Sequence, residues 1–423
     1  MKGIAVVGAG WSGLAAAVRA TAAGARVTLF EMARAPGGRA RTATHGDHAA
    51  LDNGQHILIG AYRDTLQLMR EVGIEPDAVL LRRPLSLVDA AGHGLRLPPG
   101  HAGLAFVRAV WRHPSWSLPQ RCALLHTAAR WRWRGFRAPT HLSVAALTSH
   151  LPEPIRRQLI APLCMAALNT PPELASAEVF LRVVGDGLLS EAGGSDILLP
   201  RRPLSELFPA PALDWLRCHG ANVRLTTRVE SLERAAAGRW LCNGEPFDDV
   251  VLACTATEAA RLASTISPAW SAQTGSFHYE PIVTVYLRGR GPAWQDAMVA
   301  LDDADAAPAQ FAFDLGAGDA SRQGVAAFVV SAASAWVTRG LQEVAETVLA
   351  QARSAFPRHD WTLLRAIAER RATFLCSPGL QRPTAHIAGG LWAAGDYVEG
   401  PYPATLEGAV RSGAAAARHA LAS

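Results

Sequence analysis

The feature that most constrains this chain is Gly8-Ala9-Gly10-Trp11-Ser12-Gly13, set directly between the apolar run Gly3–Val7 and a helix-prone stretch at residues 14–23. A run that is apolar at every position suits a parallel strand buried on both faces. Gly8 permits the tight turn, Gly10 lets backbone approach a pyrophosphate, and Gly13 lets helix and strand pack closely, with the helix N-terminus facing the phosphates. Trp11 and Ser12 belong to the same loop and are candidate contacts to the same ligand. A second strand, Arg26–Phe30, ends at Glu31, which is placed to accept hydrogen bonds from a ribose hydroxyl. This unit sets the expected fold class as α/β, with a Rossmann-type domain gripping an ADP-containing dinucleotide.

That fingerprint cannot separate NAD from FAD, because both carry the ADP half. Pro36-Gly37-Gly38-Arg39-Ala40-Arg41 adds flexible backbone and guanidinium donors suited to a longer dinucleotide; standing alone it would read as a surface turn with two arginines. Far along the chain, Leu391-Trp392-Ala393-Ala394-Gly395-Asp396 reads as a buried strand closing in a glycine and a carboxylate, with a small-residue helix at 405–420 behind it. Such a carboxylate suits a ribityl hydroxyl, and the helix N-terminus suits the pyrimidine edge of an isoalloxazine, although Ala/Gly packing explains the helix about as well. The expected cofactor is FAD, held from both ends of the chain.

These residues resemble the FAD-dependent amine oxidase and phytoene desaturase superfamily over essentially the whole chain. Three further segments are similar to its squalene-associated branch, the hydroxysqualene dehydroxylases of hopanoid synthesis: Leu51-Asp52-Asn53-Gly54-Gln55-His56, Ala161-Pro162-Leu163-Cys164-Met165-Ala166-Ala167-Leu168-Asn169-Thr170, and Leu198-Leu199-Pro200-Arg201-Arg202-Pro203-Leu204-Ser205. The resemblance implies cofactor contacts at Gly8, Gly10, Gly13, Glu31, Gly38, Arg39 and Asp396, with Gly395 beside the last, and a backbone contact from Val229 to the adenine. It implies a C30 isoprenoid alcohol as substrate, hydride passing from reduced FAD to its allylic carbon as hydroxide leaves. His56 is the candidate proton donor, with Asp52 orienting it or bonding to the flavin, and Tyr402 is an aromatic wall or a hydroxyl donor. The plainer readings are a hydrogen-bonded structural histidine and a tyrosine packed on the cofactor. Asn169 and Arg202 are candidate pocket residues without an assigned role.

Alternatives remain open at this stage: a carotenoid or polyprene desaturase running electrons the opposite way, a flavin amine oxidase, and a non-catalytic flavin-binding protein. Lys2 is the sole lysine, so Schiff-base chemistry is disfavoured, as is amine oxidation of the kind that keeps a lysine near the flavin. A cofactor motif built in three places argues against a non-catalytic role. Six cysteines show no C-x-x-C pair and no metal-ligand spacing, so free thiols, a reducing compartment and no metal are expected. With no second dinucleotide fingerprint, the electron donor is an unidentified partner.

The scattered motifs require a discontinuous FAD-binding domain at residues 1–85, 190–270 and 375–423. The insertions 86–189 and 271–374 form a mixed α+β substrate domain. A composition 49% hydrophobic and 18% charged supports a globular chain with a large core. In the first insertion Trp111, Trp116, Trp131 and Trp133 interleave with Arg108, Arg112, Arg130, Arg132, Arg134 and Arg137, a mixture suited to a membrane interface across residues 106–137. A buried helical pair with solvated arginines is the plain alternative, and nucleic acid is disfavoured. The net charge of +5 is a weak clue where both signs interleave. No apolar run reaches transmembrane length and the N-terminal run breaks at Gly8, so a cytoplasmic protein is expected, peripheral on the inner face of the membrane.

Overall fold

Gly3–Val7 is buried at all five positions and pairs in parallel on both sides, as a strand without a polar face must. The structure is a computed structural model that describes residues 1–43, 51–189, 191–235, 238–290, 294, 296–302 and 306–423; Ser190, the expected start of the middle cofactor-domain piece, lies outside them. Among the described residues eleven strands build two large sheets: β1 (Gly3–Val7), β2 (Arg26–Phe30), β3 (Asn222–Arg224), β4 (Asp249–Leu252), β5 (Tyr279–Arg288), β6 (Met298–Ala300), β7 (Phe311–Asp314), β8 (Val325–Val330), β9 (Thr362–Phe374), β10 (His386–Ala388) and β11 (Leu391–Ala393). The first sheet runs β3-β2-β1-β4-β11-β10, parallel except for the hairpin partner β10. This is a Rossmann-type sheet. The second runs β6-β7-β8-β5-β9 and is antiparallel throughout.

Four helices position the rest: α1 (Trp11–Ala22), α2 (Ala102–Arg112), α3 (Leu118–Trp133) and α4 (Leu406–Ala422). Helix α1 starts three residues earlier than its apolar pattern suggests, with Gly10 as N-cap. Helices α1 and α4 meet backbone to backbone. A Cβ on Gly13 would lie 1.8 Å from the Gly8 carbonyl oxygen, and one on Gly413 would lie 2.0 Å from that of Ser12. The small residues of α4 therefore form a packing face, and its N-terminus is closed by Thr405, whose hydroxyl accepts from the Gly408 N–H. Glu407, buried in the first turn of α4, accepts from the Asp64 and Thr65 N–H groups and the Thr65 hydroxyl, capping the helix Arg63–Glu71.

Several sequence expectations change. The stretch 204–218 forms two helices, Leu204–Leu207 and Pro209–Cys218, because Pro209 starts a new helix after Phe208 leaves helical geometry (φ −152°, ψ −46°). Strand β3 stops at Arg224, and Thr226 turns the chain at φ +54°. The tryptophan cluster divides. Trp116 stacks on His113 at 3.7 Å and donates to Gln158, and Trp131 packs edge-on against Phe180, so both are core; Trp111 and Trp133 stand exposed. All six cysteines are free. Among the described residues no helix is long and apolar enough to cross a membrane.

Candidate cofactor and active site

The dinucleotide motifs meet at the carboxyl ends of β1, β2 and β4, where open α/β sheets bind ligands. Gly8 sits at φ +107°, and any Cβ there would lie 2.7 Å from the Ala253 carbonyl oxygen. Gly37 donates its N–H to the Ala9 carbonyl at 2.8 Å, bringing the Gly-Gly-Arg segment against the first glycine turn. A Cβ on Gly38 would meet the Gly10 Cα at 3.3 Å. Glu31 accepts from the Ala9 N–H at 2.6 Å and the Ala33 N–H at 2.7 Å, so the carboxylate expected to meet a ribose also fixes the glycine turn to the end of β2. Trp11 braces the second loop instead: its indole donates to the Ala40 carbonyl at 3.0 Å and its ring packs 5.0 Å from Phe208. Ser12 carries a buried hydroxyl with no hydrogen-bond partner in the protein. Buried Val229 is held through its carbonyl by the Arg261 guanidinium at 2.8 Å.

Arg39 joins three parts of the chain. Its guanidinium pairs with Asp396 at 2.5 Å and donates to the Ala372 carbonyl, near the end of β9, at 2.9 Å. Gly395 precedes this pair, and a Cβ on it would fall 2.4 Å from the Tyr397 ring. The Tyr397 phenol is buried without a partner, and burial holds its pKa well above the ordinary value. Two orphan hydroxyls, a glycine-lined approach and a guanidinium–carboxylate pair fit a dinucleotide with two phosphates and a polyol chain. Ser12, Arg39, Tyr397 and Asp396 are the residues that would hold it.

The catalytic candidates are placed differently from expectation. Among the described residues no hydrogen bond joins Asp52 to His56. The Asp52 Oδ1 accepts from the Thr42 hydroxyl at 2.7 Å and the Leu204 N–H at 2.9 Å, and its own carbonyl accepts from the Tyr286 phenol. Burial raises the Asp52 pKa against the pull of those donors and of Arg322. His56 is oriented by its own loop, through a 2.8 Å bond from Nδ1 to the Gly54 carbonyl. A carbonyl only accepts, so Nδ1 carries the proton and the neutral ring presents a lone pair at Nε2. Burial lowers the His56 pKa, opposed by the Gly54 carbonyl and Asp52. Tyr402 donates to Asp186 at 3.0 Å with Arg411 over its ring, and among the described residues no hydrogen bond joins it to His56 or Asp52.

The family model for flavin containing amine oxidoreductases matches residues 11–421. The chain belongs to this family. It is an FAD-dependent oxidoreductase. A hydroxysqualene dehydroxylase of Rhodopseudomonas palustris is 29% identical over 446 residues, covering 100% of this chain and 99% of the relative. One from Sinorhizobium fredii is 26% identical, with 99% and 98% covered. A solved oxidoreductase from Methanosarcina mazei shares the fold at a TM-score of 0.74 and 15% identity, covering 98% of this chain and 99% of that one.

In this flavin enzyme several site residues escape motif reading. Asn53 donates to Glu369 of β9 at 2.8 Å and to the Arg39 carbonyl at 3.2 Å, which ties the His56 segment to the second sheet. Tyr397 directly follows Gly395-Asp396 and was visible as an aromatic neighbour; Glu369 lies more than 300 residues from Asn53 and left no signal. Asn169, at φ +49°, donates to the Glu280 carbonyl and the Thr373 hydroxyl and accepts from the Ala332 N–H, which makes it a clasp between β5 and β9. Arg202 is exposed, and nothing in the structure gives it a part in the site.

Proposed function

We propose that this flavoenzyme is a hydroxysqualene dehydroxylase, reducing the C30 isoprenoid alcohol to squalene in hopanoid synthesis. The full-length similarity to relatives of that name carries the reading. Lysine placement supports it over amine oxidation. Lys2, the sole lysine, pairs with Asp249 at 2.8 Å at the start of β1, about 17 Å of strand away from the glycine turn.

The reaction replaces C–OH by C–H: a proton and a hydride enter, and water leaves. Reduced FAD, when bound, supplies the hydride. The protein must protonate the departing hydroxyl and keep water from the allylic cation. His56 is the proposed donor. With Nδ1 committed to Gly54, its transferable proton sits on Nε2, so the donating form is the imidazolium. Asp52 is a positioning residue, because its grip on Thr42 and on the Leu204 N–H fixes the strand Leu51–Asp52 from which the His56 loop leaves. Tyr402 donates to Asp186, whose neighbour Gly187 faces Ile59 so closely that a Cβ on it would lie 3.2 Å away.

A cleft of about 430 Å³ lies between α2 and β6, lined by Leu97, Ala109, Ile197 and Met298 together with Arg83, Arg112 and the Arg96–Asp296 pair, and it is the proposed approach for the substrate. Its wall residue Ile197 pairs in register with Ile59, three residues after His56. A separate donor must return two electrons each turnover. To test the reading, anaerobically reduced protein is given hydroxysqualene, oxidised protein is given phytoene or a polyamine, and products are identified by mass spectrometry. Squalene from the first alone is expected. Absence of squalene, a desaturated polyprene, or peroxide from the amine overturns it.

A further inference from the structure

Charge in this chain is not evenly spread. Between Asp89 and Glu153 there is no carboxylate, yet eight arginines fall there: Arg96, Arg108, Arg112, Arg121, Arg130, Arg132, Arg134 and Arg137. Without these eight, 33 basic residues face 36 acidic ones, so the whole net charge of +5 resides in this stretch. Arg96 pairs with Asp296. Among the described residues Arg108, Arg112, Arg130, Arg134 and Arg137 are exposed and meet no carboxylate at ion-pair distance.

The same stretch holds α2 and α3, which turn Phe106, Leu124, Ala128 and Trp131 inward onto a shared core. Their opposite faces are apolar too. On α2, Leu104, Val107 and Trp111 recur at helical spacing and stand 60%, 44% and 52% exposed. On α3, Leu118, Cys122, Ala129 and Trp133 line the outward side, with Trp133 85% exposed. Trp111 and Trp133 are the exposed tryptophans of the described chain, in which the other tryptophans are buried or half-buried. An outward apolar face ringed by unpaired arginines has two complements at once, hydrocarbon for the rings and phosphate for the guanidinium groups.

We propose that the α2–α3 face docks on a bilayer rich in anionic lipid. Trp111, Trp133, Leu104 and Val107 enter the interface while Arg108, Arg130, Arg134 and Arg137 meet the headgroups. Ala109 and Arg112 of α2 also line the cleft beside β6, so docking sets the cleft against the membrane. The inference stands on charge and exposure and is independent of which substrate the enzyme takes.

The test is flotation of the FAD-loaded full chain with vesicles of phosphatidylglycerol and phosphatidylcholine, or of phosphatidylcholine alone. Strong association with the anionic vesicles, weakened by added salt and by omission of phosphatidylglycerol, is expected. A Trp111→Ser/Trp133→Ser variant and an Arg108→Gln/Arg130→Gln/Arg134→Gln variant should each lose at least about tenfold in affinity. Both retain flavin absorbance and melting temperature, since the altered side chains are exposed. The proposal fails if the anionic vesicles do not retain the protein, or if both variants float as the parent does. It fails equally if the protein holds an oligonucleotide but not vesicles, or if the tryptophan variant merely converts a dimer to a monomer without changing vesicle binding.

Discussion

His56 spends its Nδ1 proton on the Gly54 carbonyl, which leaves one nitrogen for chemistry and makes the proposed acid pH-dependent. Burial holds its pKa below the ordinary histidine value of about 6.5, so the imidazolium is populated only on the acid side. The rate of dehydroxylation is expected to rise as pH falls through a limb below that value. A kcat profile should show the limb, and His56→Gln should abolish it while FAD stays bound; an unchanged profile removes His56 from proton transfer. Arg39 makes a second residue-scale case. Replacing Arg39 with methionine keeps the stem but unties Asp396 and the end of β9, so FAD affinity is expected to fall about ten- to hundredfold, read by titration of flavin fluorescence. The turns at Gly8 and Gly38 were legible in the sequence because a glycine turn is a local device, whereas the pairing of Arg39 with Asp396 was not. The hydrogen bonds of Asp52 were not legible, as Leu204 becomes its neighbour only through folding.

Elements carry their own consequences. Helix α4 approaches α1 so closely at Gly413 that one methyl group has no room, and Gly413→Ala is expected to cost roughly 1–3 kcal/mol and to displace Ser12 with it. A lower melting temperature together with weaker FAD retention would show both effects; an unchanged melting temperature would contradict this packing. Between α2 and α3, His113 stacks on Trp116, and burial beside Arg121 lowers its pKa to about 4. An unfolded histidine protonates near 6.5, so unfolding takes up a proton between those values. Stability should therefore fall as pH drops through that window, by at most about 1.4 kcal/mol per pH unit, and His113→Phe should flatten that part of the curve in thermal melts. Strand β1 was readable from an unbroken apolar run, and β2 from its place between the first helix and Glu31. The split at Phe208 is announced by Pro209, although apolar residues continue across the break.

Across the whole molecule, the cofactor site depends on pieces far apart in the chain. Ending the protein after residue 389 would remove β11, Asp396 and α4, leaving buried β4 without a partner on one side, so no FAD binding is expected. Absorbance of the purified truncation in the flavin bands decides it. The α/β class was legible at this scale because the fingerprint demands it, whereas the order of the second sheet was not. That order depends on pairings such as β5 with β9, about eighty residues apart, which no local pattern encodes. The concentration of positive charge in residues 90–152 was present in the sequence all along, hidden by averaging over the full length.

The meeting of Arg39 with Asp396, and of Ser12 with Gly413, also imposes a timetable on biogenesis. At about 5–20 residues per second, a ribosome that has made the first glycine turn needs tens of seconds more to reach Asp396. The nascent chain therefore cannot close on flavin as it emerges. Loading waits until Asp396 and α4 have been made.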